Sequence, residues 1–462
     1  MKYVCVLPRR VRAAAVSLGF SAFAFAPSAF PQGGLTPPGA PTPTMKSLDQ
    51  IDTHIDVKGE KRIDVQNAAA SVVTTTNANY HFIITQPGSY YLSGNLAVTK
   101  TNGIQINAEG VTLDLNGFQI SRSSGTGGNG IEIASPSDRA SIRNGSLKGF
   151  GYGIRSVFSG GFAFARGCGF RDLSVSNCTN AGIFAGPGAV LESCRAHDNS
   201  GLYGIYADNG SSLTNCTADN NTNTGGGSIF AGISSSLINC SAYGNTAIYG
   251  IFAGNGSSLT NCTAASNTGR YGIFASNSSS LTNCSAYTNT GNDVDTAGIH
   301  ANNSTISNCT ASSNFSTASA TSTTGMGFDV GSFSTIHDCT ALVNRGDGIR
   351  MLDFTTARDN TSGRNGSSGN GAGVNATGAA NRIEGNNVAD NDRGIEVSAA
   401  GNVIVKNTAR GNTTNYSIAP GNIYGAIVDR VIPAGSPTPA PVNGNSAASS
   451  ANTTDPWANI SY

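Results

Sequence analysis

Charge is scarce in this 462-residue chain: 27 Lys and Arg balance 27 Asp and Glu, the formal net charge is zero, and only 12% of residues are charged. Without a basic run the chain lacks the field that captures a polyanion, so neither nucleic acid nor an anionic membrane surface is an expected partner. Long apolar runs are missing too. No stretch of 18 or more apolar residues occurs, which leaves no transmembrane helix and no membrane insertion to expect. The five histidines, His54, His81, His197, His300 and His337, show no metal-ligand spacing, and Trp457 is the one tryptophan. What is plentiful is glycine, 59 residues, together with Asn, Ser and Thr. A chain of this length would allow two or three compact domains, but a solenoid escapes that count by growing in one dimension.

The N-terminus has the form of an export signal. Lys2, Arg9, Arg10 and Arg12 give a basic start, Ala13 to Phe25 an apolar stretch, and Ala24, Ala26 and Ala29 small residues for cleavage. Residues 1–29 are therefore expected to be a signal peptide. The protein is expected to be exported, to the periplasm, the cell surface or the medium. Residues 30–60 form a Pro/Gly-rich linker (PQGGLTPPGAPTPT), with one or two helical turns expected in Met45–Asp52. Residues 61–100 are assigned to an N-terminal cap segment, 101–432 to a repeat domain, and 433–462 to a low-complexity tail.

The repeat is marked by ten asparagines: Asn199, Asn221, Asn245, Asn267, Asn289, Asn314, Asn344, Asn365, Asn391 and Asn412. Their steps are 22, 24, 22, 22, 25, 30, 21, 26 and 21 residues. So regular a period means that each unit buries its apolar face only against its neighbours. One polar residue at one place per coil points to a stacked amide ladder. Each unit has two readable strands. The first is a Gly-Ile pair plus two residues: GIQI at Gly103, GIFA at Gly182, Gly250 and Gly272, GIYA at Gly204, GIHA at Gly298, GIEV at Gly394. Ile points in and the next residue out, because side chains alternate along a strand. The second strand is patterned on SLTNCTA, with Leu213, Leu259 and Leu281 inward and Val175, Leu191, Leu237, Ile306 and Ile336 as variants. The residue before each cysteine, Asn215 for example, is mostly Asn, Asp or Gly, types that tolerate a left-handed backbone and can turn a corner. A leucine-rich repeat would need several leucines per unit and is rejected. The fold expected is all-β: a single-stranded right-handed parallel β-helix of about a dozen coils, with a disordered Pro-rich N-terminal spacer and a low-complexity C-terminal tail.

These features resemble the right-handed parallel β-helix proteins, the architecture of pectate lyases and of the periplasmic NosD-type repeat proteins. The likeness rests on stretches such as NRIEGNNVADNDRGIEV (Asn381 to Val397), with ITQPGSYYLSGNL and VTLDLNGFQI resembling the opening of that superfamily. It spans roughly residues 100 to 430, and it implies a fold much more than an activity.

Seven cysteines share one column, Cys194, Cys216, Cys240, Cys262, Cys284, Cys309 and Cys339, with Cys178 read as an eighth and Asn360, Asn386 and Asn407 continuing it. Export normally implies disulfides. Stacked strands, however, hold parallel side chains ~4.8 Å apart, wider than the ~3.5–4.5 Å a disulfide needs between Cβ atoms. Free buried thiols are expected instead. The Asn-Cys-Thr/Ser triplets, formally glycosylation acceptors, are read as corners.

The outward residue after each strand Ile forms another column, in which Phe184, Tyr206, Phe230, Phe252 and Phe274 are consecutive. If outward, this stripe is a candidate ligand-binding face for a polysaccharide or a cell-surface protein, the alternative being a ladder that stabilises the sheet. Charge concentrates in the later coils. Fifteen charged residues lie between Asp329 and Glu396, against five between Asn199 and His300. There, Asp338 and Asp359 occupy one corner column on adjacent coils and are a weak candidate for a metal site, with Ca2+ the cofactor under an enzymatic reading only. No catalytic residue is assigned, and no cofactor is expected for the leading function. The Asn-Thr-Asp, Asp-Asp and Gly-His-Gly motifs associated with polygalacturonases are absent. Arg345-Gly346-Asp347 spells an integrin-type tripeptide that turns produce by chance. The expected function is an exported, non-catalytic scaffold that contacts glycans along the aromatic stripe. The alternative is a polysaccharide lyase or glycoside hydrolase acting through the charged coils.

Overall fold

The computed structural model describes residues 62–123, 127–134, 137–157, 164–222, 226–318, 325–366, 371–429 and 454–462. The expected signal peptide, the linker with its helical turns, and the tail from 433 to 453 lie outside the described residues. All described residues belong to one compact unit, Thr53–Tyr462.

The unit is a right-handed parallel β-helix of about fifteen coils. One sheet has sixteen strands; fifteen are parallel, from Tyr80–Ile84 to Thr414–Ile418, and Val73–Thr74 adds one antiparallel strand at the N-terminal end. The parallel ladder thus starts inside the cap segment, which is one reason the coils exceed a dozen. The second sheet has thirty short strands that alternate between two legs of each coil. One left-handed residue separates the legs. Asn215 (φ 54°), Asn239 (φ 55°), Asn261 (φ 54°) and Asn283 (φ 55°) turn this corner, as do Asp338 (φ 55°) and Asp359 (φ 57°). Because such a residue resets the in/out parity, Leu213 and Cys216 both point inward and are buried.

The core is a set of columns one residue wide. Ile205, Ile229, Ile251, Ile273 and Ile299 stack in register and are fully buried, each worth ~1.5–3 kcal/mol of apolar burial. The asparagine column forms an unbroken hydrogen-bonded ladder. Asn199 Nδ2 donates to Asn221 Oδ1 at 2.9 Å, and the pattern repeats at 2.9 to 3.0 Å through Asn391 to Asn412. Each oxygen also accepts the backbone N–H of the preceding rung, as Asn267 Oδ1 does from Asn245 at 3.1 Å. The Gly-Ile signal has the same cause. A Cβ on Gly204, Gly250 or Gly272 would come within 3.0, 2.9 and 2.6 Å of a ladder amide nitrogen, so the strand lies flat against the amides only as glycine.

One assignment changes. Cys178 is not the eighth member of the cysteine column: its N–H donates to Asn199 Oδ1 at 2.9 Å, so it heads the asparagine column, and Val175 pairs with Ala196 rather than standing level with Leu191. Within the long strand Gly169–Ser176 the corner is turned by Asp172 (φ 52°), level with Ser193, while Asn177 (φ 55°) turns the next corner, level with Asp198, so the Asn177-Cys178 pair only copies the spelling of the cysteine column. A third inward column, unread in the sequence, is built of hydroxyls: Ser235 Oγ accepts from Ser211 N at 3.3 Å, and Ser304 Oγ from Ser279 N at 3.0 Å. All nine described cysteines are unpaired and buried. Burial pushes the thiols of Cys168 and Cys178 up to about 11.

Two outcomes follow from this core. Asn267→Ala, which leaves the Asn245 amide and N–H without their acceptor inside the protein, is expected to lower stability by ~2–4 kcal/mol in thermal unfolding. Thiol titration of the denatured protein without reductant is expected to find most of the nine cysteines. The native protein should react slowly, because its thiols are buried and reagent cannot reach them.

Candidate functional site

The outward column of the sixteen-stranded sheet is in register along its whole length. Phe184 pairs with Tyr206, then Phe230, Phe252, Phe274, His300, Asp329, Arg350, Asn375 and Glu396 in turn. The five aromatic side chains are brought together and are half-buried. Their rings lie parallel, with centroids 4.3 Å apart for Phe184–Tyr206, 5.1 Å for Tyr206–Phe230, 4.4 Å for Phe230–Phe252 and 5.4 Å for Phe252–Phe274. Strand spacing imposes this: identical side chains one rung apart meet face to face. Ring faces are therefore turned to one another and ring edges to the surface. Tyr203, Tyr249 and Tyr271 form a second row tilted by 52 to 57° against Tyr206, Phe252 and Phe274, at 5.0, 5.1 and 5.3 Å. This row was missed in the sequence, although each tyrosine stands just before its Gly-Ile or Gly-Ile equivalent.

On one side of the ladder runs a shallow groove of about 310 Å³. It is lined by the rings of Tyr206, Phe230 and Phe252, by Asp208, Asn209, Asn255 and Ser276, and by Gly232, Ile233 and Gly254. A Cβ on Gly232 would meet the Asn209 side-chain oxygen at 2.5 Å, and one on Gly254 would meet the backbone of Gly232 at 2.7 Å. Glycine at these two positions thus lets successive coils approach closely beside the rings.

The stack ends at His300, whose ring lies 4.8 Å from Phe274 at 14°. Its Nδ1 is 2.7 Å from Asp329 Oδ2, and Arg350 Nε donates to Asp329 Oδ1 at 2.9 Å. Arg350 also reaches Asp295 at 3.2 Å, and Arg270 closes the network on Asp295 at 2.8 Å. Asp329 is only 6% exposed. Burial would raise its pKa, but the hydrogen bond and charge of His300, with Arg350, hold it below the usual carboxylate range. Tyr271, beside His300 at 5.0 Å, is pushed up to about 12 by burial and stays protonated. The sequence placed His300, Asp329 and Arg350 on consecutive rungs, and that adjacency was the available signal for the cluster. Arg270 and Asp295 stand outside the column and gave none.

Asp338 and Asp359 lie in the other sheet, at exposed corners. Asp338 pairs with His337 at 2.7 Å and Asp359 with Arg358 at 3.3 Å. Among the described residues no group of three or more His, Cys, Asp or Glu could hold a metal ion. Nor does any helix there have the length and apolarity to cross a membrane. The Arg345–Asp347 tripeptide cannot present its carboxylate, because Asp347 is fully buried. Asp347 instead accepts from Ala372 N at 2.7 Å and Asn375 Nδ2 at 2.9 Å.

The fold and these columns define a right-handed parallel β-helix protein. The family model described as "Right handed beta helix region" matches residues 249–414. Among solved structures, the chain is similar to the A-module of the Azotobacter vinelandii mannuronan C-5 epimerase AlgE6, at 15% identity over 73% of this chain and 88% of that one, with a TM-score of 0.40. It is also similar to the periplasmic alginate epimerase AlgG (11% identity, 79% and 81% covered, TM-score 0.31) and to the siphovirus 9NA tailspike receptor binding domain (9%, 78% and 75%, 0.31). No curated protein matches the sequence. No function is carried from these likenesses to this chain.

Burial pushes the Asp347 carboxyl up from its ordinary 3.8 to about 6. Between those values the folded state binds more protons than the unfolded chain, so this group's contribution to stability falls as pH rises from about 4 to above 6. Asp347→Asn keeps an acceptor for Ala372 N–H and, with the Asn375 amide turned over, donates to Asn375 Oδ1, a buried atom without a hydrogen-bond partner in the wild type. The variant is expected to be more stable than wild type at pH 7 by ~1–3 kcal/mol, with a flatter stability–pH profile in thermal denaturation between pH 4 and 7.

Proposed function

We propose that the protein is an exported, non-catalytic β-helix scaffold that holds a neutral polysaccharide along its aromatic ladder. The observation that carries this reading is the groove beside Tyr206, Phe230 and Phe252. Beside the rings its lining offers amides, a carboxylate and a hydroxyl, with one isoleucine and two glycines. Sugars present both apolar C–H surfaces and hydroxyls, and a groove that combines an aromatic lining with polar side chains meets both. The Asp208 carboxylate is committed in part to Asn209 N at 2.8 Å, and no basic residue lines the groove, so an uncharged glycan fits better than a polyuronate. Export is inferred from the residues 1–29 pattern.

A second reading, a polysaccharide lyase or hydrolase, is favoured by the His300–Asp329 pair. A buried carboxylate on Nδ1 fixes the imidazole tautomer and leaves Nε2 for proton transfer. Calcium at Asp338 and Asp359 would not serve it directly, because those corners belong to the other sheet.

Tyr206→Leu with Phe252→Leu is expected to weaken retention in affinity gels containing neutral polysaccharides by at least about tenfold. The same change should lower stability by ~1–3 kcal/mol through the lost ring contacts. Release of reducing ends or unsaturated uronate by wild type, abolished in His300→Ala, would replace the scaffold reading with the enzymatic one.

A further inference from the structure

The corner after each strand of the sixteen-stranded sheet places one residue in the left-handed region. On most coils that residue is small or suited to the conformation: Gly210, Gly256, Ser278 and Asn303 before, Gly401 and Gly421 after, with φ between 47° and 85°. On two adjacent coils it is phenylalanine. Phe333 has φ 57° and Phe354 φ 54°, and their places in the column are set by Phe333 N donating to Asp353 O and Phe354 N to Ala379 O, both at 3.0 Å. A bulky side chain in this conformation crowds its own backbone, and strain of this kind persists mainly where function retains it. Burial gives no return here. Phe333 is 64% and Phe354 58% exposed, the two most exposed phenyl rings among the described residues. The rings stand parallel at 4.9 Å and 2°. They shield one face of each, and the corner residue next to Phe354 on its other side is Ala380, a methyl, followed by Gly401.

The surroundings are rich in hydrogen-bonding groups, with the exposed Asp353 as the charged residue beside the rings. Asn302 Nδ2 donates to Asn277 Oδ1 at 2.7 Å and Asn303 Nδ2 to Ser278 Oγ at 3.3 Å. The nearest carboxylate, Asp353, accepts Ala379 N at 2.8 Å. This row continues the amides that line the groove: from the Asn209–Gly210 corner to Phe333 is five rungs, on the order of 24 Å. We propose that Phe333 and Phe354 are a second contact for the same neutral polysaccharide, stacking a sugar ring on a free phenyl face where the row of corner amides ends. The inference rests on the glycan reading above and extends it. A chain lying along the solenoid axis would meet the ladder groove first and the ring pair beyond it. Aromatic faces supply the C–H contact, and the rung-spaced amides and hydroxyls supply partners for sugar hydroxyls.

The test uses the full chain with Phe333→Gly/Phe354→Gly and, as a control for backbone loosening, Phe333→Asn/Phe354→Asn, since Asn303 occupies the same column. Soluble β-glucan, xylan and mannan in affinity gels are the probes. Both double variants should melt at or above the wild-type temperature, because the strain is relieved, and should lose retention by at least tenfold. A lower melting temperature in both would show that the rings are structural and overturn the proposal. So would unchanged retention. If Tyr206→Leu/Phe252→Leu loses retention while the ring-pair variants keep it, the ring pair fails and the groove reading stands. If wild type is retained by none of the three, both fail. Self-association of wild type in light scattering, lost in the ring-pair variants, would assign the rings to a second copy of the chain and overturn the glycan contact.

Discussion

The hydrogen-bonded asparagine ladder is the constraint on which the rest of the solenoid depends. Each amide donates to the next rung and to a backbone carbonyl, and its oxygen takes both a side-chain and a backbone N–H, as at Asn267. A buried amide has no cheap alternative to complete pairing, so every coil must place its asparagine at one height and one distance from the last. That requirement reaches across the coil. The strand facing the ladder must carry glycine where the amide sits, and the isoleucine beside it then packs inward at a fixed register. The serine column at the opposite corner and the Asn360–Asn386–Asn407–Asn459 column repeat the device with other side chains. Asn459 belongs to the strand Asn459–Ser461, which pairs with Thr408–Arg410 and Ile427–Asp429 and brings the end of the chain into the last rung.

Register imposed inside the solenoid is inherited by its surface. Because side chains alternate, the residue after each isoleucine is repeated outside at the same spacing, and whatever chemistry it carries becomes a row. Where that residue is aromatic the row is a stack with its faces filled. Where it changes to His300, Asp329 and Arg350 it becomes an ion-paired network closed by Arg270 and Asp295 from outside the strands. The two regions meet at Phe274 and His300, on one sheet and one continuous face. Their electrostatics differ sharply: the aromatic end has few charges, and the charged end holds acids and bases in mutual contact, which leaves little uncompensated positive charge for a polyanion.

The coil period, the two-strand unit, the left-handed corner and the buried cysteine column were all legible in the sequence, because each recurs at a fixed offset and each has a local physical cause. The Cys178 shift was not, since Asn177-Cys178 spells the same pair as Asn215-Cys216 while Asp172 already turns that corner and Asn177 turns the next one. Outward parity of Phe184 through Phe274 was legible as well. That their faces are occupied by one another, and that the usable surface is a groove at their side, follows from a centroid spacing of 4.3 to 5.4 Å that no sequence states.

By itself the sequence determined the architecture, because a one-dimensional fold is written by nearest-neighbour repetition and each rule is visible in every coil. Only the tertiary structure decided where function can sit. The Arg270–Asp295 bridge joins residues outside the repeated strands, and the face-to-face contact of Phe333 with Phe354 depends on the stacking of adjacent coils, which the order of residues does not state.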